Sequence, residues 1–198
     1  TINAEYEVFR DSARDLLTRN NPLQRRKKKK KQGQGFSREA WKEMADAGWF
    51  SILVPEQSGG LGLGIAEVTA IAEEAGFALL PEPLIASGVQ VIALLATLPE
   101  ELAVSSLLGE LMQGDKIAAL AWQEQPGGMD DQPPQSRYQA FSDTYQLSGG
   151  KAFVVPGAEV DGYLLTASGE QGLGIFWVPQ NSGEMPIDLH PLADGQTQ

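Results

Sequence analysis

Cysteine is absent from this 198-residue sequence, and histidine occurs once, at His190. Without cysteine the chain has no disulfide bonds, no Cys-ligated zinc or iron–sulfur cluster and no thiol nucleophile. A His-rich metal site is not expected, and a Ser-His-Asp triad would depend on His190 alone. We interpret His190 as a surface or edge residue and assign no metal site. The lack of cysteine fits a reducing compartment, so we expect a cytoplasmic protein.

Long hydrophobic runs are also missing. The longest uncharged stretch is residues 83–99, which has prolines at both ends and polar residues inside. A helix needs roughly 20 apolar residues to cross a bilayer, so this stretch is marginal and is predicted to be a buried helix. The first twenty residues carry alternating charges rather than the apolar block of a signal peptide. The sequence therefore predicts a soluble protein.

Positive charge is scarce outside one segment. Seven of the fifteen lysines and arginines lie in residues 25–31, and removing them from the net charge of −11 leaves −18. Phosphate repulsion by such an acidic body argues against general nucleic-acid binding. We interpret the basic run as a solvated linker between two helices. A polybasic interaction module and a contact to a coenzyme A phosphate are the alternatives.

Residues 1–115 have the pattern of a helical domain. Apolar side chains recur there at three- and four-residue intervals, and polar side chains fill the opposite faces. Capping residues and glycines mark the ends of the helices. The predicted helices are one ending near Asn21, one from Ser37 to Gly48, one from Ile65 to Gly76, one opening at Pro83 and one from Pro99 to Gly114.

From Lys116 the pattern changes to alternating strands separated by Gly, Pro and Asp turns. We predict strands near 116–123, 137–142, 145–155, 162–168, 173–179 and 185–189, with a last turn leading into a further strand. The predicted fold class is α+β: an all-helical N-terminal domain, residues 1–115, followed by an incomplete antiparallel β-barrel domain, residues 116–198. A partial barrel exposes a strand edge, so we expect more polypeptide or a neighbouring chain to cover it.

Seven short motifs, in the same order and spacing, resemble those of the acyl-CoA dehydrogenase family. The resemblance covers almost the whole chain and is closest to the subgroup whose members work as paired unlike subunits. The motifs are Gly48-Trp49, Val54-Pro55-Glu56, Gly59-Gly60-Leu61-Gly62, Gly76-Phe77 with Pro81-Glu82-Pro83-Leu84, Leu111 to Asp115, Gln123 to Asp130, and Tyr145 to Val155.

This resemblance implies an FAD enzyme that oxidises the Cα–Cβ bond of an acyl-CoA thioester. A glutamate base takes the α proton while the flavin N5 atom receives the β hydride, and a C-terminal four-helix bundle, absent from this chain, completes the site. The base is expected beyond Gln198, so we assign no catalytic residue and expect this chain alone to be inactive. Glu56, Glu73, Glu74 and Glu124 match no base position of the family.

The same resemblance implies which residues contact the flavin. Leu120, Trp122 and Gln123 would border the ring, and Gly128 and Met129 would reach it through their backbone. Phe153 would lie beside the ring, and Val155 would sit near its polar edge.

Four of these positions depart from the family pattern. Gln123, Met129 and Val155 replace a threonine, a serine and a second threonine, and Phe153 replaces a tryptophan. Met129 and Val155 have no side-chain donor for the polar edge of the ring. Two lost hydrogen bonds cost roughly 0.5–1.5 kcal/mol each, so flavin binding should be weakened or lost. For the two aromatic residues, ordinary barrel packing is the alternative.

Two functional hypotheses remain open. The chain is part of a flavin-dependent acyl-CoA dehydrogenase, or it is a non-catalytic subunit that stabilises a related active chain. The substitutions in the predicted flavin site are explained better by the second hypothesis than by the first. Acyl-CoA and like or unlike subunits are the implied partners. Ser87 and Val91 are candidates to line an acyl pocket, although core packing is the favoured interpretation of both.

Overall fold

The structure is a computed structural model that describes residues 4–31, 35–99, 104–125, 132–142, 144–183 and 185–190. Helices occupy the first part of the chain and strands the second, which confirms the predicted α+β class. The helices are α1 Ala4–Asn20, α2 Pro22–Lys31, α3 Arg38–Asp46, α4 Ile65–Phe77, α5, made of a π-helical segment Leu84–Val91 and an α-helical segment Ile92–Ala96, and α6 Ser105–Met112.

Helix α3 has the ends that the sequence predicted. The hydroxyl of Ser37 accepts a hydrogen bond from the backbone N–H of Ala40 at 3.3 Å, which satisfies one of the free donors of the first turn. Gly48 follows the helix with φ +80°, a left-handed conformation that suits glycine. Local capping chemistry therefore sets the bounds of this helix.

The basic run is helical, so its interpretation as a linker was wrong. Pro22 occupies the first position of α2, where its missing N–H costs nothing, and Asn21 separates the helix from α1 with φ +42°. Lysine and arginine are good helix formers. Arg25 fixes the helix to the domain by donating to both carboxylate oxygens of Glu82 at 3.2 and 2.7 Å.

Helix α5 buries one face, which includes Leu84, Ser87 and Val91, against the rest of the helical domain and β1. The N–H of Gly88 donates to the carbonyl of Pro83, five residues earlier, at 3.4 Å, which is the π-helical pattern. A Cβ atom at Gly88 would lie 2.7 Å from the ring of Phe50, so only glycine permits this close approach. The next helix was predicted to begin at Pro99, but Pro99 is not helical. Residues 100–103 lie outside the described ranges, and the described part of this helix begins at Ser105.

The β domain is one mixed sheet. Strand β4 pairs in parallel with β1 and β2 and antiparallel with β5, while β2 and β3 form an antiparallel hairpin. Because β5 pairs along the whole of β4, β1 and β2 share the other edge of β4. The predicted antiparallel arrangement thus holds for two pairs only, since alternation assigns faces but not partners. The strands are β1 Ala118–Ala121, β2 Arg137–Phe141, β3 Thr144–Ser148, β4 Gly162–Gly169 and β5 Gly172–Pro179.

Two predicted strands differ from the structure. The strand predicted at 145–155 ends at Ser148, because the next residue, Gly149, has φ +133° and leaves the extended conformation of the strand. Residues 185–189 form no strand, since no partner among the described residues pairs with them. The further strand predicted after them lies outside the described ranges.

The helical domain and the first strand share one hydrophobic core. Ile117, Ala118 and Leu164 belong to the same buried cluster as Trp41 and Leu111 of the helical domain. Strand β1 packs directly against α5. None of the helices in the described ranges is both long and apolar enough to cross a lipid bilayer.

Candidate functional site

The predicted flavin residues lie on two neighbouring segments of the β domain. Leu120 lies in β1, and Trp122 and Gln123 follow directly after it; Phe153 and Val155 lie in the loop between β3 and β4. The N–H of Ala152 donates to the carbonyl of Gln123 at 2.8 Å and joins the two segments. The structure therefore brings these five positions into one region. Gly128 and Met129 lie outside the described residues.

Trp122 and Phe153 present apolar surface to solvent. Each side chain is 45% exposed, and neither belongs to the hydrophobic core. An aromatic residue packed only for stability is normally buried more fully, because burial of its large apolar area is what stabilises the fold. We refer to these two exposed rings, which stand on segments joined by the Ala152–Gln123 hydrogen bond, as the platform.

Hydrogen-bond donors lie next to this platform. Of the described residues, none accepts a hydrogen bond from the backbone N–H of Phe153 or Val155. Gln123 donates through Nε2 to the carbonyl of Gln125 at 3.1 Å, which leaves its amide oxygen and one N–H for another partner. A flavin ring has a flat apolar face and an edge rich in acceptor atoms. The exposed rings, the backbone donors and the Gln123 amide fit such a group.

A buried ion pair lies under the same region. The ammonium nitrogen of Lys151 is 2.6 Å from a carboxylate oxygen of Glu124, and the two side chains are 7% and 10% exposed. Burial would raise the pKa of Glu124, but hydrogen bonds from Lys151, Ser136 and Gln135 outweigh burial and lower that pKa to about 2. A carboxylate held this firmly in its charged form is a poor general base at neutral pH. This agrees with the absence of any catalytic assignment to Glu124.

The sequence did not reveal this ion pair. Glu124 and Lys151 each lie inside a motif of the family resemblance, and this was the only sequence feature that pointed to either residue. Nothing in the sequence spacing indicates that residues 27 positions apart meet.

The two predicted acyl-pocket residues lie inside the helical domain. Ser87 and Val91 are buried in the π-helical segment of α5, and Val91 belongs to the hydrophobic core. Within the described ranges, the Ser87 hydroxyl has no hydrogen-bond partner. Because α5 packs against β1, both residues lie on the helix next to the strand that carries Leu120.

A large open cavity of about 900 Å³ lies at another part of the sheet. Its walls come from β2, β3 and the turn after β4, with Arg137, Gln139, Gln146 and Glu170 among them. None of the predicted flavin residues lines it. His190 is exposed as predicted, 3.5 Å from Asp188.

Comparison with known proteins gives matches across the whole chain. The sequence model for the family described as acyl-CoA dehydrogenase, N-terminal domain, matches residues 3–115. The acyl-CoA dehydrogenase FadE27 of Mycobacterium tuberculosis is 29% identical over 160 residues, which cover 81% of this chain and 41% of that protein.

Solved structures match over the helical and β domains together. A variant of the Tcur3481–Tcur3483 steroid ACAD superposes on 100% of this chain and 54% of its own, with a TM-score of 0.79 and 26% identity. The ChsE4–ChsE5 complex from Mycobacterium tuberculosis covers 100% of this chain and 53% of its own, with a TM-score of 0.78 and 24% identity. The present chain therefore spans about half the length of these structures and less than half of FadE27.

Proposed function

This chain belongs to the acyl-CoA dehydrogenase family, and we propose that it supplies the helical wall and part of the flavin platform of an FAD-dependent acyl-CoA dehydrogenase. The reaction is the α,β-dehydrogenation of an acyl-CoA thioester. The rest of the site, including the glutamate base, is proposed to come from polypeptide outside these 198 residues.

One observation carries this proposal. Trp122 and Phe153, which the family resemblance assigns to the flavin, are both exposed and stand on segments joined by the Ala152 to Gln123 hydrogen bond. Side chains that only completed the core would not remain so accessible. No described residue accepts the backbone N–H groups of Phe153 and Val155, so these donors would offset part of the loss of side-chain donors.

The residues of this chain have binding and positioning roles in the proposed mechanism. Bound FAD would supply the hydride acceptor. Trp122 and Phe153 would cover the ring and exclude water, and Gln123 with the Val155 N–H would hold its polar edge. Because Lys151 and two backbone N–H groups lower the pKa of Glu124 to about 2, its carboxylate would be too weak a base to take the α proton of the substrate.

The acyl chain is proposed to run along α5, next to the platform. Ser87 and Val91 lie on this helix, and the Ser87 hydroxyl is a buried polar group without a partner in the described ranges. A buried hydroxyl of this kind usually obtains a hydrogen bond from water or a ligand.

An absorbance spectrum of the purified full-length protein tests the proposal. We expect a flavin spectrum that bleaches when an acyl-CoA is added without an electron acceptor. A protein with bound flavin that no acyl-CoA reduces would contradict the dehydrogenase assignment.

A second function, a non-catalytic subunit that stabilises a related active chain, is favoured by a different observation. The solved relatives include a complex of two differently named chains, ChsE4 and ChsE5. Here Met129 and Val155 replace two family residues with side-chain donors. A full-length protein that remains colourless alone, and forms a flavin-containing complex only with an unlike subunit, would support this function over the first.

A further inference from the structure

The buried Lys151–Glu124 ion pair connects the segments that carry the exposed aromatic residues. Glu124 is two residues after Trp122, and Lys151 is two residues before Phe153. Neither charged side chain is among the flavin contacts that the family resemblance implies. Their position nevertheless ties them to the geometry of the platform.

Lys151 uses its ammonium group to hold three separate segments. It donates to Glu124 at 2.6 Å, to the hydroxyl of Thr166 in β4 at 3.1 Å, and to the carbonyl of Trp122 at 3.4 Å. An ammonium group has three donors, so these contacts use all of them. The backbone of Trp122 is thereby fixed relative to β4 by the residue that precedes the Phe153 segment.

Glu124 extends the connection in the other direction. Its two carboxylate oxygens accept the backbone N–H groups of Gln135 at 2.6 Å and Ser136 at 2.9 Å. Ser136 immediately precedes β2, so the carboxylate fixes the start of that strand relative to the end of β1. Both oxygens are engaged, and the buried charges are well paired.

Stability alone does not account for such a pair. Replacing a buried ion pair with apolar residues of similar volume is often neutral or stabilising, because desolvation of both charges offsets their attraction. A directional network, in contrast, fixes the relative positions of the groups that it joins. Here those groups are the backbones on either side of the exposed rings.

We propose that the Lys151–Glu124 ion pair is a positioning element that sets the relative orientation of Trp122 and Phe153 and so controls the affinity of the platform for flavin. The flavin part of this inference rests on the proposed function. The orientation of Trp122 does not, and it can be measured without flavin.

The chain offers a matched control for substitution. Glu82 is a second buried carboxylate in an ion pair, with Arg25 at 2.7 Å, and it lies in the helical domain. Glu124→Gln and Glu82→Gln remove the same charge from ion-paired side chains that are 10% and 0% exposed, so both should lower the thermal midpoint. Only Glu124→Gln should alter the relative orientation of Trp122 and Phe153.

The first measurement is flavin affinity, by titration of the flavin-free full-length protein with FAD. We expect Glu124→Gln and Lys151→Met to weaken binding about tenfold, since a displaced contact surface loses pre-organised interactions. Glu82→Gln should keep the wild-type affinity within about twofold, and Lys151→Arg should recover part of the loss. Equal affinities in wild type and Glu124→Gln would overturn the inference and leave the proposed function intact.

The second measurement uses tryptophan fluorescence in the absence of flavin. Of the four tryptophans, Trp122 is the exposed one, so the difference between each protein and its Trp122→Phe counterpart reports on Trp122. We expect the emission and acrylamide quenching of Trp122 to change in Glu124→Gln and not in Glu82→Gln. If the wild type binds no flavin, the proposed function fails, while an unchanged Trp122 signal in Glu124→Gln would by itself reject the positioning role.

Discussion

A carboxylate oxygen of Glu82 lies 2.7 Å from Nη2 of Arg25, although 57 residues separate them in the chain. The Glu82 side chain is completely buried and also accepts the backbone N–H of Ser37 at 3.2 Å. Arg25 donates in addition to the carbonyl of Asn20 at 2.9 Å. This one pair therefore joins the end of α1, the basic helix α2, the start of α3 and the start of α5.

Removing the arginine should destabilise the helical domain. Arg25→Leu leaves the Glu82 carboxylate buried without its partner, and we expect the free energy of unfolding to fall by about 3 kcal/mol. Urea denaturation followed by circular dichroism measures this loss. The double variant Arg25→Leu/Glu82→Leu should lose clearly less, because no buried charge remains. Equal losses would show that the isolated carboxylate is not the cause.

A single methyl group on α5 should disturb the core. In Gly88→Ala the new Cβ would lie 2.7 Å from the Phe50 ring, and overpacking of this kind costs about 1–3 kcal/mol. Gly109 in α6 provides the control, because a Cβ there meets no atom within 4 Å. Gly109→Ala should stabilise the protein by roughly 0.5–1 kcal/mol, since alanine favours the helix. Thermal unfolding of the two variants should therefore shift in opposite directions.

The Lys151–Glu124 ion pair should give a defined acid dependence of stability. The pKa of Glu124 is lowered from 4.5 to about 2 in the folded protein, so its carboxylate binds protons more readily in the unfolded state. Its contribution is therefore present above pH 4.5 and is lost as the pH falls towards 2. Unfolding midpoints measured between pH 6 and pH 2 should show that the difference in stability between the wild type and Glu124→Gln shrinks as the pH falls through this window. A constant difference across that range would argue against a depressed pKa.

The exposed aromatic residues should matter for flavin binding and little for folding. On the proposed function, Trp122→Ala and Phe153→Ala should each weaken FAD binding by about 1 kcal/mol, or roughly fivefold, through lost aromatic contact. Because both side chains are half-exposed, the unfolding free energy should change by less than about 0.5 kcal/mol. Phe77→Ala removes another exposed aromatic ring, on α4, and should change neither quantity. Fluorescence titration and urea denaturation measure the two effects.

The sequence predicted local features of this fold well and long-range ones poorly. The ends of α3 depend on Ser37 and Gly48, which act within a few residues, so the pattern was sufficient. The basic run consists of good helix formers, but its helix is fixed to the domain by the contact of Arg25 with Glu82, and no composition rule indicates a partner 57 residues away. Likewise, alternating residues in β1 and β4 identified two strands but gave no sign that they pair in parallel.

The candidate site shows the same division. Family motifs predicted that Trp122, Gln123 and Phe153 contact a flavin, and the structure places their segments side by side. The motifs did not indicate what holds those segments together. That function belongs to Lys151 and Glu124, whose contacts depend on how β4 and the start of β2 approach the end of β1.

The core that the helical domain shares with β1 affects how these proteins can be recombined. Ile117 and Ala118 follow the predicted boundary at residue 115 but are packed with Trp41 and Leu111 on the other side of it. In a chimaera of two relatives joined at that boundary, the helices of one parent would pack against a first strand whose side chains fit the helices of the other parent. An exchange after Ala121 would keep the contacts of Ile117 and Ala118 with the helices, but Leu164 of β4, which belongs to the same cluster, would still come from the other parent. A junction that keeps this buried cluster from one parent must therefore lie beyond Leu164.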